Sequence, residues 1–153
     1  MANTYTQILV QIVFAVQGRE HLISEQHREQ VEKYICGIIA NKKSKALAIY
    51  CNPDHCHVLI GLDPTVSISE MAREIKANSS KWINENKWVM GKFSWQEGYG
   101  AFTYSRSQLD QVVKYIRNQP EHHRKNTFKE EYMNFLRKFD IDFNEMYLFE
   151  FNK

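Results

Sequence analysis

Two histidines flank a cysteine at His55-Cys56-His57, and the segment continues as Val-Leu-Ile-Gly-Leu. This run follows an Asn-Pro-Asp turn signal at 52–54 and is predicted to form a strand from 55 to 62. Side chains alternate along a strand, so both imidazoles share one face and Cys56 lies on the other. Two neighbouring neutral imidazoles can bind a divalent cation, although most such pairs are ordinary surface or core histidines.

Tyr115 and Gln119 form a second candidate group, four residues apart in a predicted helix from Ser107 to about Gln119. At that spacing the two side chains lie one above the other, on the polar side of the helix. Such a tyrosine is by default a surface residue, but a phenolate can also attack phosphorus. Because the ordinary pKa of tyrosine is about 10, this role needs a nearby cation or base. The Gln119 amide oxygen could bind the same cation as the histidines, and Pro120 places Gln119 at the helix end.

The elements that position these residues follow from hydrophobic periodicity and turn signals. Strands are predicted at 7–17, 45–51, 55–62 and 101–105, and the last of four helices at about 127–139. The first three helices, at about 24–41, 67–85 and 107–119, begin at Ser24, Ser67 and Ser107. The order β-α-β-β-α-β followed by helices predicts an α+β fold with a ferredoxin-like, RNA-recognition-like antiparallel sheet. Helices would cover one face, leaving the other available for a ligand.

Length and composition indicate an ordinary globular chain. Its 153 residues are 43% hydrophobic and 25% charged, and we predict one domain over 1–153. No apolar run approaches the roughly 20 residues of a membrane helix, so no membrane partner is expected. Three cysteines and the absence of a visible export signal predict a cytoplasmic protein with reduced thiols.

Charge is unevenly distributed, although the net charge is only +2. Residues 106–139 carry eight Lys/Arg against four acidic residues, while 140–153 carry four acidic residues and one Lys. This pattern permits a polyanionic partner, and a solvated helix surface explains the charge equally well. The candidate phosphate-binding residues are Lys76, Ser80, Lys81, Lys114, Arg117, His122, His123 and Arg124.

Three motifs, in this order, resemble those of the small HUH single-tyrosine transposases of bacterial insertion sequences, which are related to the REP-associated tyrosine transposases. They are His55-Cys56-His57-Val-Leu-Ile, Trp95-Gln-Glu-Gly-Tyr-Gly-Ala-Phe102, and Tyr115-Ile-Arg-Asn-Gln119 with Glu121-His-His123 after it. Segments 12–20 and 76–82 also resemble that family, so the similarity covers essentially the whole chain.

The resemblance implies that His55, His57 and Gln119 bind one Mg²⁺ or Mn²⁺ ion and that Tyr115 is the nucleophile. The implied substrate is single-stranded DNA with hairpin ends. The tyrosine would form a covalent 5′-phosphotyrosine and release a 3′-hydroxyl, and a second 3′-hydroxyl would later rejoin the strands. The resemblance also implies a homodimer, in which the tyrosine of one copy can act on the metal site of the other.

Three other functions remain compatible with these residues. A non-catalytic nucleic-acid-binding module on the same fold would need no metal and would be unaffected by Tyr115→Phe. A domesticated relative that processes repeated palindromic DNA would have the same catalytic residues. A metal-dependent phosphodiesterase that uses water would leave no covalent protein–DNA adduct.

Overall fold

A four-stranded antiparallel sheet forms the centre of the computed structural model, which describes residues 3–18 and 22–151. The strands lie in the order β2-β3-β1-β4, which confirms the predicted ferredoxin-like fold. Their bounds are Leu9–Ala15 (β1), Lys45–Cys51 (β2), His55–Gly61 (β3) and Gly100–Tyr104 (β4). The helices are Arg28–Asn41 (α1), Ile68–Asn86 (α2), Leu109–Arg117 (α3), Gln119–Lys125 (α4) and Phe128–Lys138 (α5), with 3₁₀ turns at Arg106–Gln108 and Glu145–Tyr147.

The first face of the sheet packs against α1 and α2. One set of alternating side chains on β1 and β3, including Ile12 and Val58, enters this core together with Ile35 and Ile75 of the two helices. The predicted apolar stripes of both helices are confirmed, because their central residues are fully buried. This layer fixes the register of β3 and so determines which side chains face the other way.

The second face is covered as well, contrary to the prediction that it stays open. Val13 and Ala15 of β1 pack with Phe102 of β4 and with aromatic side chains of α5. Leu59 of β3 packs with Val112 and Ile116 of α3. The helices after β4 therefore enclose this face, which explains why β1 is buried along its whole length.

Two predicted helix starts are wrong, and both errors are local. Ser24 begins a turn, its hydroxyl contacts Nδ1 of His27 at 2.9 Å, and α1 starts only at Arg28. Ser107 is not a cap, because Ser105 forms a capping box with Gln108 two residues earlier. Both serines compete with the helix by bonding to nearby groups in a turn.

The predicted effect of Pro120 is confirmed. Helix α3 ends at Arg117, and Gln119 begins the separate helix α4, in which proline occupies the first turn, where its missing N–H costs nothing. Thr127 then caps α5 through a second capping box. The correction to the prediction is that Gln119 opens α4 and is fully buried, instead of lying at the end of α3.

The residues after α5 pack back onto that helix. Phe149 lies 5.0 Å from Tyr132 and 6.0 Å from Phe128 between ring centroids. The side chain of Gln96 donates to the carbonyl of Glu150 at 2.8 Å and accepts from its N–H at 2.7 Å. No helix in the described part of the chain is long and apolar enough to cross a membrane.

Candidate active site

His55 and His57 project from β3 into the layer formed by α3, α4 and α5. On the neighbouring strand β1, His55 pairs with Ala15 and His57 pairs with Val13, and these smaller side chains leave room for the imidazoles. Both rings are fully buried, with centroids 5.2 Å apart. The prediction that they share one face is confirmed, but that face is closed.

A carboxylate of α5 lies between these imidazoles and the predicted nucleophile. Oε1 of Glu131 is 3.3 Å from Nε2 of His55 and 3.0 Å from Nε2 of His57. Its other oxygen, Oε2, accepts a hydrogen bond from the Tyr115 hydroxyl. Glu131 therefore joins the two predicted groups within a single chain.

Gln119 lies beside this carboxylate, with its amide nitrogen facing it. Nε2 of Gln119 donates to Oε2 of Glu131 at 3.0 Å. The amide oxygen accepts from Nδ2 of Asn52 at 2.9 Å and contacts Nε2 of His123 at 3.0 Å. In this arrangement Gln119 orients Glu131, and its oxygen points to neighbours other than His55 and His57.

Burial and hydrogen bonding set the protonation of Glu131 and Tyr115. Burial opposes the charge of Glu131, but nearby His57 and hydrogen bonds from three histidines outweigh it and hold its pKa well below the usual range. Burial, reinforced by the Glu131 charge and hydrogen bond, raises the pKa of the Tyr115 phenol well above its usual range. Tyr115 is therefore a phenol that donates to an ionised carboxylate.

The two imidazoles have different surroundings. Burial disfavours charge on His55, but hydrogen bonds with Asp54 and Glu131 outweigh it and raise the His55 pKa. Burial dominates at His57 and lowers its pKa. Nδ1 of His55 lies 2.7 Å from the Asp54 carboxylate, a contact that fixes the ring orientation as it does for many metal ligands.

This group fits a divalent cation. His55, His57 and Glu131 each offer one ligand atom, these atoms lie within 4.8 Å of one another, and all three residues are buried. Imidazole nitrogens and carboxylate oxygens are ligands that divalent first-row metals accept. The side chains could therefore close around an ion in place of their present contacts with each other.

Some of the other predicted residues lie near this group. The ring of His122 lies 4.2 Å from that of Tyr115, and His123 is 3.3 Å from Glu131 through Nε2. Lys114 and Arg117 are exposed on α3, and Arg124 is exposed on α4.

The predicted residues of α2 lie on the opposite face of the sheet. Nζ of Lys76 donates to the carbonyl oxygens of Gln96 at 2.7 Å and Gly98 at 2.9 Å. The Ser80 hydroxyl donates to the Lys76 carbonyl at 2.8 Å, and Lys81 is exposed. The structure therefore does not bring these three residues together with the histidines.

Sequence reasoning missed Glu131, although the sequence contains a signal for it. The Thr127 capping box fixes the phase of α5, and Phe128, Glu131, Tyr132 and Leu136 then share its buried side. A carboxylate inside an apolar stripe is rarely buried without a partner. The position of Glu131 within the apolar stripe of α5 therefore predicts that its carboxylate has a specific partner.

Comparison with known proteins decides the family. The family described as "Transposase IS200 like" matches residues 4–119. This chain belongs to that family. Among curated proteins, ISDra2 transposase TnpA of Deinococcus radiodurans is 22% identical over 120 residues, covering 74% of this chain and 84% of that protein.

Solved structures show the same fold at low identity. A crystal structure assigned as a transposase from Deinococcus radiodurans R1 matches with a TM-score of 0.61 and 19% identity, over 78% of this chain and 95% of that one. A REP-associated tyrosine transposase bound to a REP hairpin matches with a TM-score of 0.58 and 16% identity, over 80% and 73% of the two chains. Family membership supports a DNA-processing enzyme.

The part of this IS200-like transposase that matches the family ends at Gln119. It includes His55, His57 and Tyr115, whereas Glu131 and His123 lie beyond it. The carboxylate that joins the two groups therefore comes from a helix outside the matched residues.

Proposed function

We propose that this chain cleaves and rejoins single-stranded DNA through a covalent 5′-phosphotyrosine on Tyr115, with a divalent cation at His55 and His57. One observation carries the proposal: the Tyr115 hydroxyl and both imidazoles contact the same carboxylate, that of Glu131. Metal-assisted phosphoryl transfer needs a nucleophile close to a set of metal ligands, and here both contact one residue.

The proposed ligands are Nε2 of His55, Nε2 of His57 and a carboxylate oxygen of Glu131, for Mg²⁺ or Mn²⁺. Gln119, which the family resemblance assigns as a ligand, takes a position beside Glu131 and holds it through its amide nitrogen. A bound divalent cation would polarise a non-bridging oxygen of the scissile phosphate and offset the cost of forming a phenolate.

The protein groups account for the bond changes. The Tyr115 oxygen attacks phosphorus, the bond from phosphorus to the 3′-oxygen breaks, and the released 3′-oxygen takes a proton to become a hydroxyl. Glu131 accepts the Tyr115 hydrogen bond and so orients the attacking oxygen. Because its pKa is held well below the usual range, Glu131 is a weak base. The phenol proton therefore passes to water as the bond to phosphorus forms, and water supplies the proton of the 3′-hydroxyl. A second 3′-hydroxyl reverses the step, and because the phosphodiester energy is retained in the phosphotyrosine, no nucleotide cofactor is needed.

Two further features support a DNA substrate. Lys114, Arg117 and Arg124 are exposed on α3 and α4, the helices that carry Tyr115 and Gln119, and can hold phosphates without reading sequence. The neighbouring REP-associated structure is bound to a REP hairpin, which favours hairpin-bearing single strands as substrates. The same neighbour favours a second candidate function, the processing of repeated palindromic DNA by a domesticated relative.

The predicted homodimer with composite active sites remains a prediction. Here Tyr115 contacts a carboxylate of its own chain, which supports a site assembled within one copy. Light scattering at micromolar concentration measures the oligomeric state. Mixing Tyr115→Phe protein with His57→Ala protein tests sharing, because only shared sites would restore cleavage.

The test of the proposed function is adduct formation. Purified protein, Mg²⁺ and a labelled single-stranded oligonucleotide carrying a hairpin should give a protein–DNA adduct that resists denaturation. Tyr115→Phe should abolish the adduct and keep DNA binding, and a chelator should abolish it in the unmodified chain. Tyr147→Phe, at an exposed tyrosine, is the matched control and should form the adduct normally. An adduct in Tyr115→Phe protein would contradict the assignment.

A further inference from the structure

Gln11 is a polar side chain buried in the middle of the sheet. It lies on the central strand β1, opposite Leu59 of β3 and Phe102 of β4, and is fully buried. Neither its amide nitrogen nor its amide oxygen has a hydrogen-bond partner among the described residues. A buried amide without partners is costly, and in most proteins such groups are paired. Gln11 thus has a donor and an acceptor that none of the described residues uses.

A cavity of about 370 Å³ connects Gln11 to the candidate active site. Gln11 lines it together with Tyr115 and Glu131, so one space borders both the residue with the unpaired amide and the proposed nucleophile. Gln11 also shares a face with His57, because Gln11 and Val13 are two residues apart on β1 and Val13 pairs with His57. The cavity therefore borders the proposed nucleophile, the proposed carboxylate ligand and the central strand of the sheet.

The walls of this cavity indicate the class of ligand. Aromatic side chains of Tyr104 and Phe135 line it, while Lys138 lies at the same cavity and offers a cation. The volume is within the range of small-molecule sites and far exceeds what one water needs. Flat aromatic side chains together with a glutamine amide among the lining residues match a planar heterocycle with polar edges.

We propose that this cavity receives one nucleobase of the DNA next to the scissile phosphate and that Gln11 pairs with the edge of that base. This inference rests on the proposed function, since a single-stranded substrate leaves its bases free to enter a protein pocket. Glutamine presents a donor and an acceptor side by side, and adenine is the base it most commonly pairs with in this way. Gln11 would thus select the base at one position of the substrate.

The experiment measures base preference directly. Single-stranded oligonucleotides carrying a hairpin with randomised flanks are bound to Tyr115→Phe protein, which keeps them intact, and the retained pool is sequenced. We expect one position to show a preferred base by about tenfold or more, adenine by the pairing above. Introducing Gln11→Leu into the Tyr115→Phe protein should remove the base preference at that position and leave the base preferences at other positions unchanged. Gln11→Met provides the same readout if leucine is not accommodated.

Gln30→Leu is the matched control, since it makes the same chemical change at an exposed residue of α1, on the other side of the sheet. It should leave the pool unchanged. Identical pools with and without Gln11 would overturn the inference, as would a pool without preference at any position. If the chain with Tyr115 forms no adduct and no oligonucleotide is retained, the proposed function itself fails. Adduct formation with base preferences independent of Gln11 overturns only the base pocket.

Discussion

Glu131→Gln removes one negative charge from the centre of the site and keeps the size of the side chain. Glu131 lies 3.3 Å and 3.0 Å from the Nε2 atoms of His55 and His57, the two atoms proposed to bind the cation. Changing residues that only support a ligand lowers metal affinity by about 10–100-fold. Loss of a direct carboxylate ligand should therefore lower Mn²⁺ affinity by about 100-fold or more.

The change in Mn²⁺ affinity can be measured as a change in the midpoint temperature of thermal unfolding. At a Mn²⁺ concentration of about 100 times the dissociation constant, the original chain gains about 2.7 kcal/mol of stability. For a chain of this size, about 1 kcal/mol corresponds to roughly 2–4 °C, so its midpoint should rise by about 5–11 °C. The variant at the same concentration should gain only about 0.4 kcal/mol, or about 1–2 °C. Each protein is compared with its own metal-free midpoint, and titration calorimetry with Mn²⁺ gives the affinities.

Glu130→Gln is the matched control, because it makes the same change at the adjacent, exposed residue of α5. Its side chain closes the Thr127 capping box, a role that glutamine also fills. This control should keep the full Mn²⁺ response. If Glu131→Gln protein shows the same temperature rise and the same calorimetric affinity as the original chain, Glu131 is not a ligand and the proposed metal site is wrong.

Two further predictions test the roles of α2 and α5. Lys76→Met should lower the free energy of unfolding by about 1–3 kcal/mol, because its ammonium donates to two backbone carbonyls. The salt dependence of DNA binding should stay as in the exposed-site control Lys81→Met, and a shallower slope for the Lys76 variant alone would assign it to phosphate binding. Gly100→Ala should lower unfolding stability by about 1–3 kcal/mol, because its Cβ would lie 2.7 Å from the Tyr132 hydroxyl oxygen. Gly37→Ala, whose Cβ meets no described atom within 4 Å, should raise stability by up to about 1 kcal/mol in the middle of α1, and a Gly100→Ala protein as stable as the original would contradict the close contact with α5.

The sequence was sufficient for features that depend on short-range periodicity. Alternation along β3 determines that His55 and His57 share a face, and the structure confirms it. The order of the elements leaves few topologies for an antiparallel sheet, and the ferredoxin-like one is observed. Pro120 lies in the first turn of α4, as expected for a residue that has no N–H to donate within a continuous helix.

Features that depend on how distant segments dock were not predictable from such patterns. The contact of His57 with Glu131 spans 74 residues, and no local spacing relates a strand residue to a side chain on the last helix. The closed second face has the same origin, because the aliphatic side chains of α3 and the aromatic side chains of α5 that pack there could equally have met solvent or a ligand. The helix starts at Ser24 and Ser107 failed for a different reason, since serine also stabilises turns.

The packing of Phe149 and the pairing of Gln96 with Glu150 make the segment after α5 a brace for the helix that carries Glu131. The geometry around the imidazoles is thereby coupled mechanically to residues far along the chain that touch none of the reacting groups. A fusion partner or truncation that displaces this brace would loosen α5, and the resulting defect would resemble a lesion in the catalytic centre although every reactive side chain remained intact.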